Sequence, residues 1–357
     1  MLGNRISLFE YKWEQFFLLV PLVFIILIPF EIFFREWLGQ APYINLIVVN
    51  TIFFNFTHVA LTFLMLFTLP ELEQWIDLKN RSRKEFWFKN SLIFLGFALI
   101  FLIPELYKFD NILYAFVLFF LGMMPLHHTI FQVKGLSACY SQQISKLGLN
   151  DDELKTFKVC EKIEKWSFYL LFANIFLFRM LIDYINSNQN VFGLAFDVNF
   201  LSTLNMTICF LIVGALAIAV YKQPKALRTN KPLYLARCLS FPLAYTSILA
   251  SLATVVLHGV EYVCVFSKMN GRSDQPEAVK SKLFFAGGWL MFGVGIFYTG
   301  QKLYSHHIET QGLVAPLYFT IIAVLTRASL YLHYYLDRQL FRMRDPITRQ
   351  QVSSLLI

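Results

Sequence analysis

Residues 15–34 read QFFLLVPLVFIILIPFEIFF, and Glu31 is the one charged residue in the stretch. A helix needs roughly 20 predominantly apolar residues to cross the hydrocarbon core of a bilayer. The stretch is too long for the apolar core of a signal peptide, and it lacks a clear small-residue cleavage site. It therefore predicts a first membrane-spanning helix.

The apolar character extends over the whole chain. Of its 357 residues, 57% are hydrophobic and 15% are charged, whereas soluble globular proteins have about 25% charged residues. Similar runs predict spans near residues 43–69, 87–106, 111–133, 166–185, 200–221, 240–266, 283–304 and 313–336. We therefore predict an all-α polytopic integral membrane protein, a helical bundle of about 8–10 transmembrane helices. Residues 1–357 are predicted to form a single transmembrane domain.

Basic residues are concentrated in some of the intervals between these spans. Five lie in 222–237 without any acidic residue, whereas 186–199 contains no Lys or Arg. The positive-inside rule then predicts a cytoplasmic N-terminus, and it accounts for the net charge of +8 without a nucleic-acid partner. The basic tail, residues 337–357, is also typical of the cytoplasmic side. A nine-span count places that tail outside, unless the glycine-rich run at 283–304 is broken or re-entrant.

The longest polar interval, residues 134–165, is predicted to be a cytoplasmic or interfacial connector that contains a short amphipathic helix. Asn150 is suited to cap the start of that helix, and Glu153 occupies the position of its capping-box partner. The connector would lead directly into the span predicted at 166–185.

Every histidine of the chain falls inside an apolar run or within about a turn of its end: His58, His127, His128, His258, His306, His307 and His333. Ionisable side chains inside a membrane are costly and usually mark functional sites. Glu261 follows His258 by three residues and Asp337 follows His333 by four, so each pair shares one helix face. Inward-facing histidines and carboxylates at this spacing bind metals in helical bundles. We therefore predict one shared, polynuclear metal site formed by the seven histidines, Glu261 and Asp337.

The nitrogen and oxygen ligands favour iron, with zinc or copper as alternatives. The five cysteines are scattered and form no Cys-x-x-Cys pair, which argues against a thiolate zinc site. Paired histidines on facing helices also bind b-type haem.

These features predict a membrane-embedded, metal-dependent oxidoreductase or oxygenase that acts on a lipid or another apolar substrate, with an electron donor as partner. In ligand chemistry the chain resembles the integral-membrane di-iron desaturases and hydroxylases. The resemblance is limited to that chemistry, because their H-x3–4-H and H-x2–3-H-H boxes do not occur here. Arg179 and Arg327 are predicted to bind an anionic headgroup of the substrate.

Two other functions agree with the same residues. Histidine–acid pairs serve as proton relays in transporters, and a haem-binding chain would be an electron carrier. The shared site also meets a difficulty, because a nine-span count places His258 towards the outer leaflet and His127 and His128 towards the inner one. If the histidines do not meet, each is a structural polar contact.

Overall fold

The computed structural model describes residues 8–9, 11–39, 42, 45, 58–66, 69–80, 82–107, 112–188, 198–243, 248–272, 317–342 and 345–356. Among these residues all regular elements are helical, so the prediction of an all-α helical bundle is confirmed. The α-helices are α1 Tyr11–Leu27, α2 Glu31–Leu38, α3 His58–Leu66, α4 Pro70–Lys79, α5 Arg83–Tyr107, α6 Ile112–Ser145, α7 Asp151–Asn188, α8 Val198–Lys222, α9 Lys231–Leu235, α10 Ser240–Leu243, α11 Ile248–Arg272, α12 Leu317–Leu340 and α13 Pro346–Leu356.

Within the described ranges, four helical segments are long and apolar enough to cross a membrane: Arg83–Leu102, Asp151–Ile182, Val198–Lys222 and Leu252–Met269. They overlap the spans predicted near 87–106, 166–185, 200–221 and 240–266. A fifth is added if α3 and α4, whose axes differ by 76°, form one broken span. The segments support a multi-pass membrane protein, while the total of 8–10 spans and the cytoplasmic N-terminus stay predictions. The run at 283–304 lies outside the described residues.

Helix α7 begins where the sequence predicted. Oδ1 of Asn150 accepts a hydrogen bond from the Glu153 amide (2.8 Å), and Oε2 of Glu153 accepts one from the Asn150 amide (3.0 Å). This is the predicted capping box. The helix then continues to Asn188, because neither Pro nor Gly interrupts it. The structure therefore has one long helix in place of a short interfacial helix followed by a separate span.

The described residues form two compact units, and the prediction of a single domain is not tested by this division. The first unit comprises the described residues of 1–47 and 129–257, and the second comprises those of 48–128 and 258–356. In the first unit α7 packs along α8, and in the second α5 packs along α12. The core of the α5–α12 contact consists of the buried residues Phe101, Val324, Tyr331 and Tyr334.

The first unit contains a buried polar network around Lys231, a residue that the sequence places in a basic loop. The Lys231 side chain is fully buried, and its ammonium group contacts Glu164 (2.7 Å), Ser141 (2.7 Å) and Gln223 (2.9 Å). An ammonium group has three N–H donors, and each of them has an acceptor here. Ser137 also donates to the Glu164 carboxylate.

Glu14 forms a second buried polar contact in the same unit. Its Oε1 accepts hydrogen bonds from the amides of Leu8 (2.9 Å) and Phe9 (3.1 Å). The Tyr140 hydroxyl donates to the same oxygen, and the Asn230 amide group donates to Oε2. Both carboxylate oxygens therefore have donors, and the contact attaches the residues before α1 to α6.

Candidate metal centre

Four helices of the second unit bring four histidines together: His58 on α3, His128 on α6, His258 on α11 and His333 on α12. Their exposed fractions are 0%, 7%, 3% and 0%. The centroids of the His58 and His258 rings, and of the His58 and His333 rings, lie 4.5 Å apart. The His128 centroid lies 4.9 Å from that of His258, 5.0 Å from that of His333 and 5.9 Å from that of His58. The four rings therefore form one contiguous buried cluster.

This contact resolves the difficulty over membrane depth. A nine-span count puts His128 and His258 towards opposite leaflets, and the 4.9 Å between their ring centroids shows that this placement was wrong. The cause is the length of the helices, since α6 continues to Ser145 and α11 to Arg272, beyond the apolar runs used to count spans. Both histidines consequently lie near the middle of their helices.

Two buried carboxylates adjoin the rings. Oδ2 of Asp337 lies 3.4 Å from Nε2 of His128 and 3.4 Å from Nε2 of His333. Oε2 of Glu261 lies 3.7 Å from Nδ1 of His258. Asp337 is 1% exposed and Glu261 is 0% exposed. The helical spacing that paired each carboxylate with a histidine in the sequence therefore brings them together in the structure.

Four atoms that could bind a metal, one on Asp337 and three on the adjoining rings, form no hydrogen bonds with the described residues. They are Nε2 of His128, both ring nitrogens of His333 and Oδ2 of Asp337, all buried. More than about 90% of buried polar groups in folded proteins have a hydrogen-bond partner. The 3.4 Å contacts therefore hold the atoms close together without satisfying them, an arrangement that suits the ligands of a metal ion.

Two sets of ligand atoms are close enough to bind a metal. One set consists of His58, His128 and His258, and the other of His128, His333 and Asp337; within each set the ligand atoms lie within 4.8 Å of one another. His128 belongs to both sets, so the two sets adjoin one another.

Three further residues surround the histidines, and the sequence analysis gave them no role in the site. Thr62 Oγ1 lies 3.0 Å from Asp337 Oδ1 and 2.7 Å from the Tyr262 hydroxyl. The ring of Tyr334 lies 4.6 Å from that of His128. Thr62 follows His58 by four residues and Tyr262 follows His258 by four, so the same helical spacing that singled out Asp337 also marks them.

The remaining predicted site residues do not belong to either ligand set. His127 is half-buried, and His306 and His307 lie outside the described residues. Arg179 is exposed on α7 in the first unit. Arg327 on α12 is half-buried, with its guanidinium carbon 5.9 Å from the centre of the Phe101 ring. Headgroup binding by either arginine stays a prediction.

Comparisons of this chain with protein-family models, with curated proteins and with solved structures give no match. The function is therefore inferred from the chemistry of the histidine–carboxylate cluster.

Proposed function

We propose that the second unit binds metal through His58, His128, His258, His333 and Asp337, and that the protein uses this metal as a membrane-embedded oxidoreductase on a lipid or other apolar substrate. The observation that carries the proposal is the pair of 3.4 Å contacts from Asp337 Oδ2 to imidazole nitrogens that form no hydrogen bond with the described residues. The charge of the cluster, the distances within it and the types of its ligands also support the proposal.

The charge balance of the cluster favours a cation. Asp337 is buried, and His128 and His333 are its only ion-pair partners among the described residues. A carboxylate removed from water without a compensating cation is strongly destabilising. A divalent ion bound among neutral imidazoles would supply the missing positive charge, and it would use the ring nitrogens as ligands.

The distances agree with ligands of one ion. Metal–nitrogen and metal–oxygen bonds of about 2.1 Å at tetrahedral angles place neighbouring ligand atoms about 3.4 Å apart. Imidazoles on one ion, with bond angles from about 90° to 180°, have ring centroids about 4.5–6.4 Å apart. In five of the six pairs of these four histidines the ring centroids lie 4.5–5.9 Å apart, within that range.

The ligand types favour a redox-active metal. Imidazole with carboxylate is the ligand set of non-haem iron enzymes, whereas thiolate-rich sets are typical of structural zinc. Both ligand sets among the described residues consist of histidine and aspartate alone. Iron is therefore the metal that we propose, with zinc or copper as the alternatives.

The surroundings favour an apolar substrate. Tyr334, whose ring lies 4.6 Å from that of His128, belongs to the apolar cluster formed with Phe101, Val324 and Tyr331. A substrate that approaches the ion from this side would contact aromatic and aliphatic groups and would be excluded from water. The metal would then activate oxygen or polarise a substrate bond, and an electron donor would complete the turnover.

Haem fits the cluster less well than a single ion. Axial imidazoles stand on opposite faces of a flat macrocycle, and His58 and His128 have the parallel rings and the 5.9 Å separation expected for such a pair. The His258 ring, however, lies within 4.5 Å of the first and 4.9 Å of the second. It occupies the space that the macrocycle would need.

A proton-coupled transporter is the second candidate, because each buried carboxylate adjoins a histidine, as in a proton relay. Its activity would differ from that of the oxidoreductase in one measurable way. Substrate uptake into proteoliposomes by a transporter would continue after complete removal of metal.

The proposal is tested by metal analysis and electron paramagnetic resonance on detergent-purified protein prepared without chelator. His128→Ala and His333→Ala are compared with wild type, and His127→Ala is the matched control, since it removes an adjacent half-buried histidine outside the ligand sets. We expect near-stoichiometric iron in wild type and in the control, a resonance that changes on reduction, and loss of iron in both other variants. Wild type without metal would refute the site, and a site filled by zinc alone would refute the oxidoreductase.

A further inference from the structure

Three helices of the second unit repeat one spacing around the histidine cluster. On each of them a histidine is followed four residues later by a side chain that can form hydrogen bonds: His58 and Thr62 on α3, His258 and Tyr262 on α11, His333 and Asp337 on α12. Residues four apart lie on one helix face, and all six of these side chains are at most 3% exposed. Each helix therefore presents one ring and one hydrogen-bonding group to the same buried region.

The three hydrogen-bonding groups form a chain. Thr62 Oγ1 lies 3.0 Å from Oδ1 of Asp337 and 2.7 Å from the hydroxyl of Tyr262. An ionised carboxylate only accepts hydrogen bonds, so the Thr62 hydroxyl donates its hydrogen to Asp337. The Tyr262 hydroxyl then donates to Thr62. Hydrogen bonds in such a chain polarise and strengthen one another.

The two oxygens of Asp337 thus have different surroundings. Oδ1 accepts the hydrogen bond from Thr62, whereas Oδ2 lies 3.4 Å from Nε2 of both His128 and His333. Among the described residues Oδ2 has no hydrogen-bond partner. A carboxylate held by one oxygen in this way binds an ion through the other oxygen alone.

We infer that Thr62 and Tyr262 are positioning residues of the proposed metal centre, which make Asp337 a ligand through one oxygen. The inference rests on the proposed function. His128 and His333 would bind the ion beside Asp337. If Asp337 bound through both oxygens, it would occupy one more position on that ion than it does through Oδ2 alone. The Tyr262–Thr62 chain therefore keeps that position open for oxygen or a substrate.

A hydroxyl that orients a metal ligand affects the metal itself, and such residues typically alter affinity by 10- to 100-fold when they are removed. A hydroxyl that only fills space would not. The two roles are separated by Thr62→Val, which keeps the shape of the side chain and removes its hydroxyl, and by Thr62→Ser, which keeps the hydroxyl. Thr207→Val is the matched control, because it removes an exposed threonine hydroxyl on α8 in the first unit.

The experiment uses the full-length protein in detergent, with Co²⁺ added as a spectroscopic probe. The visible absorption of Co²⁺ depends on its coordination number, and titration gives the affinity. We expect Thr62→Val to weaken Co²⁺ binding by 10- to 100-fold and to change the absorption spectrum, while Thr62→Ser and Thr207→Val resemble wild type. Tyr262→Phe should shift the spectrum in the same direction, because the Tyr262 hydroxyl contacts Thr62 and also hydrogen-bonds to Asp337 directly.

The outcomes distinguish a failure of the positioning role from a failure of the proposed metal centre. If wild type binds no Co²⁺, the metal centre itself is refuted. If wild type binds Co²⁺ and Thr62→Val has the same affinity and spectrum, the metal centre stands and the positioning role is refuted. Equal losses in Thr62→Val and Thr62→Ser would also refute it, since the hydroxyl would then not be responsible. If Thr62→Val does not fold, the Tyr262→Phe variant provides the test. An unchanged Co²⁺ spectrum in that variant refutes the positioning role.

Discussion

The two units each bury a group of ionisable side chains, and the groups differ in how their polar atoms are satisfied. In the first unit the Lys231 ammonium has an acceptor for each of its three donors, one of them the Glu164 carboxylate at 2.7 Å. In the second unit the Asp337 carboxylate meets two imidazoles at 3.4 Å, and its Oδ2 has no hydrogen-bond partner among the described residues. The first group contains its own counter-charge and the second does not.

This difference separates a structural role from a binding role more clearly than burial alone. Both groups are buried and both combine basic and acidic residues, so composition does not distinguish them. A buried pair with complete hydrogen bonding stabilises one conformation and leaves nothing to bind a ligand. A buried carboxylate among neutral rings is stabilised by a cation or by protonation. We therefore assign a structural role to the Lys231 network, and we propose a metal-binding role for the histidine cluster.

The largest effect is expected from breaking the Lys231 network. Lys231→Met removes the ammonium and leaves the Glu164 carboxylate buried without its cation, which should lower the free energy of unfolding by about 3–5 kcal/mol. Adding Glu164→Leu removes both charges and should restore most of the loss. Denaturant unfolding in detergent measures both variants. A stable Lys231→Met protein would show that the network contributes little to the fold.

The next largest effect is expected on the melting temperature, and it depends on metal bound in the second unit. A ligand that binds only the folded state stabilises it by about 2.7 kcal/mol when its free concentration is 100 times Kd. A chelator should therefore lower the melting temperature of wild type and of His127→Ala, and it should leave that of His333→Ala unchanged. Lys231→Met should keep its sensitivity to the chelator despite its lower stability. Equal melting temperatures with and without chelator in wild type would contradict the assignment.

The smallest effect involves an ordinary, partly exposed contact in the second unit, between Asp345 and Lys79 (2.6 Å). Partial burial raises the pKa of Asp345, but hydrogen bonds from Lys79 and from the hydroxyl and amide of Thr348 outweigh it and lower the pKa from 3.8 to about 2. The contact therefore contributes its full stability above about pH 4 and loses it as the pH falls through about 2. Asp345→Asn removes the charge but keeps a side chain suited to cap the helix, and it should cost up to about 1 kcal/mol at pH 7.

Asp345→Asn should have almost no effect on stability once the pH is below the Asp345 pKa of about 2. Below pH 2 the wild-type carboxyl is itself largely protonated, because its pKa is about 2, so the two proteins should unfold alike. Thermal unfolding of both proteins across this pH range measures the difference. A constant difference between them at all pH values would show that the charge of Asp345 is not responsible.

The local features of the chain could be predicted because they depend on neighbours along one helix. The Asn150–Glu153 capping box formed as expected, and the spacing of His258 from Glu261 and of His333 from Asp337 brought each pair together. These contacts need only the 3.6-residue period of the helix and the preferences of helix ends.

The contacts between helices could not be predicted in the same way. Thr62 and Asp337 are separated by 275 residues along the chain and lie 3.0 Å apart. The nine-span count placed His128 and His258 at different depths because apolar runs do not mark where helices end. Lys231 was assigned to a basic loop because charge along the chain carries no information about a partner such as Glu164, 67 residues away.

By itself, the sequence determined the all-α membrane architecture and the helix face on which each histidine and carboxylate lies. The apolar content of the runs and the helical period are properties of short segments, and they are the same whatever surrounds them. Only the tertiary structure decided that four of the five described histidines lie in one buried cluster with Asp337, and that Lys231 is buried against Glu164. Those outcomes depend on which helix faces pack together, and packing is selected by the whole chain at once.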